Sequence, residues 1–160
     1  MQKSYPASEL VVNQVVSEVR KAIRRNEWIM LVEYENEGRI LTRITRELKE
    51  YKKVRKATKV VDNGAYAILW ELTISYKETL TRSMGAPKPP RKISHIKICG
   101  VNTDACVIST VAGLRFLNCK ITVLSKACAN IFLLRDDKYN QRRHHHALNT
   151  MKKWRNVYVQ

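Results

Sequence analysis

The stretch Ile98–Asn130 reads ICGVNTDACVISTVAGLRFLNCKITVLSKACAN. It holds the end of an apolar strand pattern, Ile93 to Cys99, that runs into Gly100. A helix then starts near Thr103 or Asp104, and Ala105 to Leu117 carries the helical spacing. Ile121 to Leu124 is a second apolar strand. Strand, helix and strand in succession argue for parallel strands joined by a helix.

The same alternation extends outward. Upstream, Ser8 is an N-cap candidate, and Leu10, Val11, Val15, Val19, Ala22 and Ile23 recur at helical spacing through about Arg25. Trp28 to Val32 is a buried strand pattern. Leu41, Ile44, Leu48 and Tyr51 mark a second helix, and Val54 to Val61 is a more polar, edge-type strand. Asn63-Gly64 signals a turn before a third helix, Ala65 to about Arg82. The prolines of Gly85–Pro90 (GAPKPP) make that segment a loop. Downstream, a helix from about Gln141 to Trp154 precedes a short strand, Val157 to Val159. Alternating strands and helices predict an α/β fold: a Rossmann-like, mainly parallel sheet between two helical layers. Ligands in such sheets bind beyond the carboxyl ends of the strands, which directs attention to the turn after Cys99.

At 160 residues the chain is expected to form one domain, residues 1–160. Apolar residues are 44% and charged residues 28%, a globular balance. No run approaches the ~18 apolar residues of a membrane span, so no membrane association is expected. The opening residues MQKSYPASEL lack a secretory pattern, and a cytoplasmic location is expected. Cys99, Cys106, Cys119 and Cys128 form no CxxC pair and are read as free thiols.

Cys106 falls in the first turn of the predicted helix. Unpaired N–H groups and the positive dipole end there favour a thiolate, and the same N–H groups suit a developing oxyanion. A small buried hydrophobe is the plain alternative for such a cysteine.

Gly100, Val101, Thr103, Cys106 and Val107 stand in the register G-V-x-T-x-x-C-V, with Thr110 three residues further along. In this the chain resembles the isochorismatase-like cysteine hydrolases, a family that includes nicotinamidases, carbamoyl-amide hydrolases and isochorismatase. Lys59 ends its strand pattern where the family places a catalytic lysine. Gln2 and Tyr5 fall on the Gln and aromatic positions that close the family's opening motif. The resemblance implies a three-layer α-β-α fold. It implies Cys106 as nucleophile, Lys59 as its electrostatic partner and the backbone N–H groups of Asn102 and Cys106 as an oxyanion hole. Gln2, Tyr5, Val101 and Thr103 would line the substrate pocket, and a non-proline cis peptide would join Val101 to Asn102. The substrate would be a small amide or carbamoyl compound, hydrolysed through a cysteine thioester. A homo-oligomer, dimer or tetramer, is also implied.

The family's catalytic aspartate, and the apolar central strand that carries it, would stand just ahead of Met1. The expectation is therefore a segment upstream of Met1, or a shortened member that rebuilds its sheet centre. Without that aspartate Cys106 lacks its proton acceptor, help worth about 10²–10⁴-fold, and activity would be impaired. No metal and no cofactor are expected. The region matching the nicotinamidase metal site reads Glu33-Tyr34-Glu35-Asn36-Glu37, without histidine. His144, His145 and His146 are consecutive on a predicted helix and point about 100° apart.

Lys and Arg number 30 against 14 Asp and Glu, a net charge of +16. Arg43, Arg46, Lys49 and Lys52 recur along the second helix, Lys53, Arg55 and Lys56 follow, and Arg142, Arg143, Lys152, Lys153 and Arg155 cluster near the C-terminus. Such a field attracts polyanions. Two functions thus stay open: a cysteine hydrolase with a small-molecule substrate, or a catalytically silent domain of the same fold that binds a ligand, nucleic acid or protein.

Overall fold

A computed structural model describes residues 6–35, 40–72, 93–131 and 136–160, with the side chains of 6–8 excepted. Gln2, Tyr5, the GAPKPP loop and the far end of the third predicted helix lie outside the described residues.

Five strands and the helices between them follow the predicted order. Helix α1 (Pro6–Arg24) leads to strand β1 (Ile29–Tyr34), short helix α2 (Thr42–Glu47) and strand β2 (Val54–Lys59). Residues 65–72 are helical and form α3. Strand β3 (His95–Val101) is followed by a π-helical turn (Thr103–Val107), helix α4 (Ile108–Leu114) and a 3₁₀ turn (Arg115–Leu117). Strand β4 (Lys120–Ala129), helix α5 (Asp137–Lys152) and strand β5 (Val157–Val159) complete the chain. No helix among the described residues is long and apolar enough to cross a membrane.

Every strand pairing is parallel, as the crossover pattern requires. β1 pairs β2 from Ile29↔Val54 to Tyr34↔Lys59. β3 pairs β4, and β4 pairs β5. The expected parallel α/β architecture is present, with the described strands arranged in two sheets, β1-β2 and β3-β4-β5. Among the described residues β1 pairs only with β2, and β3 only with β4.

Other contacts join the two parts. Helix α1 packs on β4 and on α2. Lys97 of β3 donates to Glu27, just before β1, at 3.1 Å. The backbone N–H of Gly64, after β2, donates to Thr110 Oγ1 of α4 at 2.8 Å.

β4 is the centre of the core. Ile121, Thr122 and Val123 are all buried, so both of its faces are covered. Ile121 and Val123 cluster with Val107, Val111 and Leu114 from the π turn and α4, and with Leu148 and Met151 of α5. Thr122 instead bonds the His95 ring at 2.8 Å. Among the described residues four non-glycine positions take left-handed backbone, and all are asparagine: Asn26, Asn102, Asn118 and Asn156. Asparagine tolerates that conformation through local hydrogen bonds, and these positions punctuate the strand–helix junctions.

Candidate active site

The β3–α4 junction departs from a plain helix start. β3 and β4 lose register between Ile98 and Gly100, where Gly100 has a φ of 153°, a value side chains rarely adopt. No cis peptide occurs among the described residues, which corrects the cis bond expected at Val101–Asn102. Asn102 makes the turn with a φ of 57° instead. Its carbonyl accepts from the N–H groups of Ala105 and Val107 at 3.1 and 3.2 Å, which opens the first turn to π geometry. Such turns concentrate at functional sites, because they re-aim side chains at an energetic cost.

Neighbouring elements hold this turn on two sides. Asn102 Oδ1 accepts from the Ile131 N–H, and the Asp104 N–H donates to Asn130 Oδ1, both at 3.2 Å. From α5, Arg143 Nε donates to Asp104 Oδ2 at 2.5 Å, and His144 Nδ1 shares a 2.9 Å hydrogen bond with the Thr103 hydroxyl. Thr103, expected to line a pocket, is fully buried, and Val101 is exposed. Burial pushes the His144 imidazole below its ordinary range, with the His145 charge adding to the effect and Asp104 opposing it.

Cys106 and Lys59, although 47 positions apart in the chain, come together. Lys59 ends β2 and is 8% exposed. Its Nζ donates to the Asp62 carbonyl at 2.8 Å and stands 4.6 Å from the centroid of the Tyr34 ring, its register partner on β1. The Cys106 thiol donates to Asp62 Oδ1 at 3.3 Å. Tyr34 Oη reaches the same carboxylate oxygen at 3.5 Å. Thr110 lies four residues after Cys106, on the same side of the helix. Its hydroxyl accepts from Gly64 and lies 3.5 Å from the Asp62 carbonyl. The turn after β2 is therefore pinned from β1, β2 and α4 at once.

The electrostatics differ from the expectation of a lowered thiol. Burial pushes the half-buried Cys106 thiol up. The Lys59 ammonium pulls it down by a hydrogen bond and its charge, and the Asp62 carboxylate pushes it up again. The net effect is upward, because desolvation and the carboxylate together outweigh one ammonium. The resting site is thus a thiol aimed at a carboxylate.

Asp62, Tyr34 and Thr110 were not singled out from the sequence for this site. The sequence reading stopped one residue further on, at the turn signal Asn63-Gly64. The position of Asp62 three residues after Lys59 was the available clue, and only the fold-back of the turn gives it chemical meaning. An open cleft of about 400 Å³, lined by Tyr139, Arg142, Arg143 and His146 on α5, includes none of the three groups that meet at the sulfur. Among the described residues no three His, Cys, Asp or Glu side chains converge as a metal site.

Comparison with known proteins bears on the fold. The family model described as Isochorismatase domain matches residues 6–160. None of the curated proteins matches the chain in sequence. Among solved structures, a nicotinamidase from Staphylococcus aureus is 18% identical, with a TM-score of 0.70 over 99% of this chain and 87% of that one. A nicotinamidase/pyrazinamidase from Bacillus subtilis is 16% identical, with a TM-score of 0.69 over 96% and 85%. A protein from Leishmania major named as a putative MAR1 ribonuclease is 15% identical, with a TM-score of 0.62 over 96% of this chain and 66% of its own. At these identities the likeness is one of fold.

Proposed function

This chain belongs to the isochorismatase family, and from that premise we propose that it is a cysteine hydrolase of small amide or carbamoyl compounds. One observation carries the reading: the Cys106 sulfur, the buried Lys59 ammonium and a carboxylate occupy one point, assembled from two distant segments. Buried ammoniums beside a half-buried thiol are costly without a task, and perturbed groups of this kind gather at reactive sites.

In this reading Cys106 attacks the substrate carbonyl carbon and forms a thioester, which water then resolves. Lys59 favours the anionic states of the site. The backbone N–H groups of Asn102 and Cys106 receive the oxyanion. Val101 and Thr103 shape the pocket with Gln2 and Tyr5. The same reading has the chain act as a homo-oligomer.

The test is ammonia release from nicotinamide, pyrazinamide, benzamide and N-carbamoyl amino acids, with mass spectrometry of the protein during turnover. Wild type should release ammonia and carry an acyl group on Cys106, and Cys106→Ala should do neither. Equal turnover by Cys106→Ala would sink the proposal.

A second reading, nucleic-acid binding, draws on the net charge of +16 and on the relatives named as MAR1 ribonucleases. Part of the basic stripe is already engaged: Arg43 pairs with Glu9 and Asn13, and Lys56 pairs with Glu33. Electrostatic binding should weaken steeply between 50 and 200 mM salt. RNA affinity that ignores salt would refute that reading.

A further inference from the structure

We infer that Asp62 is the acid–base residue of the site, taking the proton of Cys106 and returning it to the leaving amine; the inference rests on the hydrolase reading above. Its carboxylate is on the sulfur, with Oδ1 3.3 Å from Sγ and the thiol donating. Placement of Asp62 does not depend on its side chain. Lys59 Nζ and the Thr110 hydroxyl both reach its backbone carbonyl, and the next residues are fixed by Gly64 bonding Thr110. Nor does the carboxylate serve helix α3. Asn63 Oδ1 accepts from the Ala65 N–H at 2.9 Å and caps that helix instead. Asp62 is thus left with a carboxylate that bonds the reactive thiol and the Tyr34 hydroxyl. The charged and titratable groups facing the sulfur are Lys59 from β2 and Asp62 from the turn, with Tyr34 of β1 against both.

The proton bookkeeping closes. As sulfur bonds the carbonyl carbon, the S–H proton passes to Asp62 and the carbonyl π pair moves to oxygen. Collapse of that tetrahedral species breaks the C–N bond, and protonated Asp62 gives its proton to the departing nitrogen. Water then adds to the thioester and yields a proton to Asp62. The C–S bond breaks, the acid leaves, and the proton returns to sulfur. Net, one water cleaves one amide.

The experiment uses the full chain as wild type, Asp62→Asn and Asp62→Glu. Three rates are measured between pH 6 and 9: alkylation of Cys106 by iodoacetamide, nitrophenolate release from 4-nitrophenyl acetate, and ammonia release from nicotinamide and benzamide. Asp62→Asn removes a charge that opposes the thiolate. Alkylation near neutral pH should therefore rise several-fold, and ester acylation should rise or hold, because nitrophenolate leaves without a proton. Amide turnover should instead fall by about 10²–10⁴-fold, the usual worth of general acid–base help. Asp62→Glu should recover part of it. A purely structural Asp62 would lower all three rates together, and that result overturns the assignment. Amide turnover undiminished in Asp62→Asn overturns it as well, while leaving the hydrolase reading standing. A wild type that alkylates normally but turns over neither ester nor amide overturns both.

Discussion

Gly113 of α4 is a tight point between the two segments that build the site. A β-carbon added there would lie 2.6 Å from Ala65 Cβ, 2.8 Å from Asn63 Oδ1 and 2.9 Å from Asn63 Nδ2. On an open helix face, Gly→Ala stabilises by about 1 kcal/mol through helix propensity. Here that gain is opposed twice. The Asn63 amide can swing aside only by releasing the Ala65 N–H it caps, a loss of about 1 kcal/mol. The Ala65 methyl has no rotamer to change, so α3 must move, and overpacking of this kind costs about 1–3 kcal/mol. Gly113→Ala should therefore destabilise by about 1–3 kcal/mol net, read from urea melts followed by tryptophan fluorescence. Relief to ordinary contact at 3.4 Å means a displacement of about 0.8 Å, and the moving segment begins three residues after Asp62. Misplacements near 1 Å can cost ~100-fold in rate. Amide turnover should drop accordingly, while Cys106 alkylation near neutral pH rises as the carboxylate draws back. Ala65→Gly in the same background should restore part of both. A Gly113→Ala protein as stable as wild type would refute the close approach of α3 and α4, and with it the pinning of the Asp62 turn.

Three further outcomes follow from the same geometry. Lys59→Met removes the group that pulls the Cys106 thiol down, so alkylation near neutral pH should slow; an unchanged pH profile would separate Lys59 from the sulfur. Cys99 is exposed on β3, yet desolvation by the surrounding protein and the Glu18 charge push its thiol to about 11. Its thiolate fraction at pH 8 is then about 0.1%, and peptide mapping after brief iodoacetamide treatment should find it modified more slowly than Cys106. Cys99 labelled first would contradict this. His95 and His144 are both held below the ordinary 6.5, burial being the larger cause in each; Lys120 and Lys97 add to it at His95. The unfolded chain then binds protons more readily than the folded one, so stability should fall as pH drops below about 6.5. The urea midpoint at pH 5.5 should lie below that at pH 7.5, with a smaller gap in His95→Gln and His144→Gln; an equal gap in all three proteins would refute the linkage.

How much of this was legible in the residues depends on the range of the interaction that decides each feature. Strand and helix positions rest on local periodicity, and they were read within a few residues, from Trp28–Val32 (observed Ile29–Tyr34) to Val157–Val159. The second helix is the instructive miss. Leu41, Ile44, Leu48 and Tyr51 suggested four apolar rungs, but the helix stops at Glu47. Tyr51 instead turns its hydroxyl to the Glu27 carbonyl at the foot of β1, a tertiary bond with no trace in spacing. β4 runs on to Ala129 rather than stopping at Leu124, because β3 pairs again beyond its register shift, at Gly100↔Cys128.

The same distinction divides the site. Cys106 could be named because it begins a helix whose pattern is local, whereas Lys59 was named only through the family resemblance. The rise in the Cys106 thiol could not, because it depends on burial and on a carboxylate 44 positions away. Helix-start reasoning weighed only the N–H groups and the dipole, and so predicted the opposite sign. A thiol held in its protonated form beside its acceptor still suits amide cleavage. Attack on a poor electrophile needs the proton removed only as the C–S bond forms, and expulsion of an amine needs that proton back. A freely ionised thiolate would supply the first step and leave the second without a donor. The upward-shifted thiol and the Asp62 contact are therefore two aspects of one arrangement, and a variant that lowers the thiol while removing the carboxylate should gain reactivity toward iodoacetamide and lose it toward amides.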